Sequence, residues 1–96
     1  MEPQNNNLDQ RIGKLAMLAQ DLARDAGRQY SIEVEAILNV QDNDIRRIEK
    51  CLDGMLDFCF FDEMLSLYKK LCRYYFEIAP EAAACYVHAY HEMWDE

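Results

Sequence analysis

The chain has 96 residues, with 10 basic and 18 acidic side chains and a net charge of −8. That length makes one domain, and an acidic surface disfavours direct binding to nucleic-acid phosphates or anionic lipid. Half the residues are apolar and 29% are charged, a globular composition that is not that of a disordered chain.

Only residues 1–7 read as a disordered tail, polar with Pro3 and three consecutive asparagines, so residues 8–96 are expected to form a single helical domain. No apolar run approaches the roughly 20 residues of a membrane span. The start lacks the basic and apolar regions of a signal peptide. The expected location is therefore cytoplasmic, with no membrane partner.

A first helix is predicted over 8–26. Asn7 is its N-cap, and Asp9 is placed to favour the helix dipole. Ile12, Leu15, Ala19, Leu22 and Ala26 recur at alternating steps of three and four, a narrow stripe of coiled-coil width. Gly27 then reads as the left-handed residue that ends a helix. Segment 31–40 is ambiguous. Its alternation of Ile32, Val34, Ala36, Leu38 and Val40 resembles a strand, but no other segment alternates to pair with it, and an isolated strand is not stable in water. A short helix capped by Ser31 is favoured, with a strand paired across a dimer as the exception.

Asp42 or Asn43 opens a helix over 43–57, with Ile45, Ile48, Leu52, Met55 and Leu56 on its apolar side. Gly54 within it either admits a neighbouring helix closely or marks fraying. The next helix, 62–79, is apolar over most of its circumference, leaving only Ser66, Lys69, Lys70, Arg73 and Glu77 for solvent, so it is expected at the centre of the bundle or at an interface. Pro80 at the first helical position, followed by Glu81, opens a last helix over 80–94. The fold class is all-α, a compact bundle of three to four helices.

Motifs for chemistry are weak. Cys51, Cys59, Cys72 and Cys85 contain no CxxC pair and read as small reduced core residues, not as disulfides or a zinc site. His88, His91 and Glu92 cluster on the last helix with Cys85 one turn earlier, but they form neither HExxH nor paired ExxH, so they are weak metal candidates beside the reading of a solvated face. A Cys85–His88 nucleophile lacks a glycine-built oxyanion hole. Acidic pairs such as Asp62–Glu63 sit at helix starts, where capping explains them. No phosphate-binding glycine loop is present. No catalytic residue, cofactor or small-molecule substrate is expected.

The aromatic surplus is the strongest signal. Ten of eleven rings fall between Phe58 and Trp94. Tyr74, Tyr75 and Phe76 are consecutive, and three adjacent residues on a helix span about 300° between them; at least one must leave the core or be covered by another chain. The expected function is a non-enzymatic protein–protein interaction or regulatory module, homodimeric through Phe60, Leu67, Tyr74, Tyr86 and Trp94. The alternative is an acidic inhibitor that masks a basic, nucleic-acid-binding surface of a protein partner. A small metalloprotein is the third reading.

Overall fold

The computed structural model describes residues 3–94, with side chains from Gln10. In chain order it contains α1 (Pro3–Val40), α2 (Ile45–Leu56), α3 (Asp62–Ile78) and α4 (Pro80–Trp94). No strand occurs among the described residues. The all-α bundle is as expected, but its first helix differs in extent. Residues 3–7, expected to be a tail, already belong to α1, and residues 1 and 2 lie outside the described residues.

α1 also does not stop at Gly27. No glycine has a positive φ, and the helix absorbs 31–40, so the strand alternative is wrong there. The reason is burial. Ala23, Gly27, Tyr30, Val34 and Ile37, at steps of four and three, share one face only if the helix is continuous, and Val34 and Ile37 are fully buried. Burying each of those two contributes roughly 1.5–3 kcal/mol, against about 1 kcal/mol for a glycine inside a helix. Ile32 and Val40, which completed the apparent alternation, are exposed.

The helix ends instead at Gln41, whose φ is 51°. Gln41 N donates to Leu38 O at 3.2 Å and Asp42 N to Ile37 O at 3.0 Å. This is a Schellman ending built on a residue other than glycine. Asp42 then ties the turn together. Its carboxylate accepts from Asp44 N at 2.9 Å and from the Arg47 guanidinium at 2.8 Å, and the same guanidinium donates to Glu33 at 2.7 Å. Asp44 caps α2 through Arg47 N.

α3 is central, packing against each of the other helices. Met64, Tyr68, Leu71, Cys72 and Tyr75 are its buried residues. Three tyrosine hydroxyls anchor it outward. Tyr68 donates to Tyr86 O on α4 at 2.7 Å, Tyr74 to Asp42 O in the α1–α2 turn at 2.8 Å, and Tyr75 to Glu49 on α2 at 2.5 Å. Burial, with Glu49 beside it, pushes the Tyr75 hydroxyl pKa up to about 12. Ala79 alone joins α3 to α4: it donates back to Tyr75 O at 2.8 Å and accepts from Ala83 N at 2.9 Å. Its backbone, at φ −143° and ψ 80°, has left the α region that a following proline disfavours.

Gly54 is the site of a close approach. A methyl group there would collide with the Tyr30 hydroxyl and lie 2.8 Å from Tyr30 Cζ, so the ring of α1 seats on the glycine of α2. Gly54→Ala is expected to destabilise by unseating that ring. With Tyr30→Ala already in place the sign should reverse, because only the helix preference of alanine, up to about 1 kcal/mol, remains. Chemical denaturation of the two single variants and the double variant measures this.

Acid should weaken the turn. Hydrogen bonds from Asp44 N and then Arg47 hold Asp42 below its ordinary range, and the Arg47 hydrogen bond does the same for Glu33. A carboxylate with a depressed folded-state pKa contributes stability above its unfolded value and loses it as pH falls through the folded one. Thermal melts from about pH 5 to about pH 3 should therefore fall less steeply for Arg47→Gln than for the native chain.

Candidate protein interface

The buried part of α1 begins at Ala23. The half before it projects from the body as an arm. Thirty-eight residues of helix measure about 57 Å, which accounts for a molecule of 61 × 27 × 18 Å. The radius of gyration, 16.9 Å, exceeds the roughly 12–13 Å of a spherical domain this size for the same reason.

The arm is apolar where it is bare. Ile12, Leu15, Met17, Leu18 and Leu22 are each 56–66% exposed. Ile12, Leu15, Ala19 and Leu22 form the narrow stripe, which runs on into the face of α1 that seals the core. An amphipathic helix ordinarily turns such a stripe inward. Here nothing among the described residues covers it. Met17 lies off the stripe, as does Gly13, beside which there is open space. Arg24 and Arg28 pair with Asp21 at 3.1 Å and Asp25 at 2.8 Å near the root of the arm, all well exposed.

The five aromatic-face residues separate into four places. Leu67 lies between α3 and α1, in a cleft of about 600 Å³ shared with Gly27, Arg28 and Phe61. Tyr74 is half-buried, its hydroxyl on Asp42 O. Tyr86 is half-buried against Tyr75, ring centroids 6.4 Å apart, with Asp53 beside its hydroxyl. Only Phe60 and Trp94 come together at the surface, 5.8 Å apart, with the Trp94 indole N–H donating to Leu56 O at 2.8 Å. Because Phe61 shares the cleft with Gly27 and Arg28, this pair stands on the end of the body from which the arm emerges.

Of the three consecutive rings, Phe76 is the one that faces out, at 57% exposure. It flanks a shallow groove of about 230 Å³ with Tyr68, Cys72 and Val87, edged by Lys69 and Arg73. The rule that three adjacent rings cannot all be buried points to one of the three without saying which. The arm is not part of the expected interface: the sequence shows its heptad-like stripe, but a stripe does not state whether it is covered.

His88 and Glu92 form an exposed pair at 3.4 Å, and His91 packs edge-on to Tyr90 at 5.4 Å. Among the described residues no three His, Cys, Asp or Glu side chains gather as a metal-binding group. No described helix is long and apolar enough to cross a membrane.

The cysteines are all free, three of them buried. Burial pushes the Cys51 and Cys59 thiols up to about 12 and Cys72 to about 11, so their reactive thiolates are scarce at neutral pH. Compared with family models, with curated proteins and with solved structures, the chain matches none.

A thiol-specific chromogenic reagent at neutral pH should modify one cysteine rapidly, Cys85, and all four only in denaturant. Cys85→Ser should remove the rapid phase.

Proposed function

We propose that this protein is a non-enzymatic interaction module whose binding element is the bare apolar face of the α1 arm. The observation that carries the reading is the row Ile12, Leu15 and Leu22, each more than half exposed, whose stripe meets the packed side of the same helix at Ala26. Exposed contiguous apolar surface of this kind marks protein contacts. Helix-in-groove or helix-on-helix docking uses residues at this spacing. Phe60 and Trp94, at the root of the arm, lie where a partner lying along the arm would end, and they are the part of the aromatic set that this reading retains.

An acidic masking role would draw on charge instead, mainly the second half of the chain, with three basic and nine acidic residues. The two readings separate by salt. Contact through the arm is apolar and should persist at about 1 M salt, where the screening length falls to about 3 Å. Charge masking should collapse there.

Leu15→Glu/Leu22→Glu places charge in the middle of the stripe without touching the body. The double variant should keep the melting temperature of the body within a few degrees. It should lose arm-dependent association, read as solution mass by light scattering and as the proteins retained on immobilised chain. Identical mass and identical retained proteins for the variant and the native chain would overturn the reading.

A further inference from the structure

We infer that the occupant of the arm is a second copy of this chain, the two α1 helices packing antiparallel about a twofold axis near Met17. This names the partner of the interaction surface proposed above and rests on that reading.

The stripe has the repeat that lets two helices interlock side chain into gap. Set antiparallel, its positions are self-complementary: Ile12 meets the partner's Leu22, Leu15 meets the partner's Ala19, and the symmetric pairs follow. A face that matches itself in this way is what a twofold dimer needs.

Charge selects the same arrangement. One edge of the stripe carries Arg11, Leu18 and Asp25, at steps of seven. In an antiparallel pair this edge faces its own counterpart. Arg11 then lies beside the partner's Asp25, twice by symmetry, and Leu18 lies beside the partner's Leu18. In a parallel pair the edge would face Ala16 and Ala23 instead, leaving Arg11 without an acidic neighbour across the pair and Asp25 with only its own Arg28.

Sterics weigh against the parallel arrangement as well. The stripe runs into the face of α1 that α2 and α3 cover from Ala23 onward. A parallel second helix would continue along residues 23–40, into space the body already fills. In an antiparallel pair about Met17 only residues 3–10 reach alongside the partner's covered segment, less than half the overlap of the parallel pair, and the two bodies go to opposite ends of a shared two-helix rod.

The arm itself calls for such a partner. It carries Gly13, and most helical stability in proteins comes from tertiary packing of an apolar face, which the arm lacks against the described residues of its own chain.

The test uses the full chain in a Cys85→Ser background, which removes the exposed native thiol. Chains carrying Ile12→Cys and chains carrying Leu22→Cys are mixed and oxidised. Antiparallel pairing predicts a 12–22 disulfide between the two kinds of chain, and little product from Leu15→Cys alone, whose Cα atoms would stand about 10 Å apart, beyond disulfide reach. Charge reversal gives a second readout. Arg11→Glu should weaken the dimer about fivefold, the scale of two exposed like-charge contacts, and Arg11→Glu/Asp25→Arg should restore it.

A 15–15 disulfide without a 12–22 disulfide, or a failure of the double reversal to restore what the single one weakens, overturns the antiparallel pairing. A native chain that stays monomeric at high micromolar concentration overturns the second copy as partner. In that case the interaction reading still stands if Leu15→Glu/Leu22→Glu changes which proteins the immobilised chain retains, and falls if it does not.

Discussion

A phenol leaves water at little cost only where its hydroxyl finds an acceptor, and α3 carries three tyrosines under that constraint. The arrangement of the other elements follows from how they are met. Tyr68 needs the α4 backbone at Tyr86, Tyr75 needs Glu49 on α2, and Tyr74 needs the Asp42 carbonyl at the end of α1. Three hydroxyls on one helix thus specify the positions of its three neighbours. No described buried side-chain nitrogen or oxygen is left without a partner. Apolar burial supplies most of the driving force for packing these helices, but it is non-directional. The tyrosines supply direction.

The body is narrow in consequence. Its core draws on the second half of α1, from Ala23 to Ile37, on α2 and α3 with Cys59 between them, and on a single fully enclosed residue of α4, Ala83. Beyond Ala23 no further element among the described residues lies under α1, so the apolar stripe runs on uncovered by them. The arm is therefore a property of proportion: a helix about 57 Å long set on helices of 12, 17 and 15 residues.

Much of this was legible in the residues. The all-round apolarity of 62–79 marks the central helix, Pro80 marks the start of the last one, and a close approach is one of the two readings Gly54 allows. What was illegible depended on distant contacts. Gly27 carries a local stop signal that loses to the burial of Val34 and Ile37, and those residues are worth burying only because α2 and α3 pack over them. Tyr74 looks exposed by helical geometry, yet its acceptor is a backbone carbonyl 32 residues away, which composition does not reveal. The stripe on the arm was visible as a repeat. Its exposure was not, because amphipathicity states which side of a helix is apolar and not where its cover ends.

Trp94 is the only tryptophan. Its indole N–H is held by the last carbonyl of α2, and its ring leans on Phe60 at the root of the arm. The molecule thus carries a native fluorophore at the junction of its body and its projecting helix. Its emission wavelength reports the polarity there, and its distance to a dye on the arm gives a length scale for whatever lies along it. Events at that junction are open to optical measurement with no foreign group attached near the C-terminal end of α4.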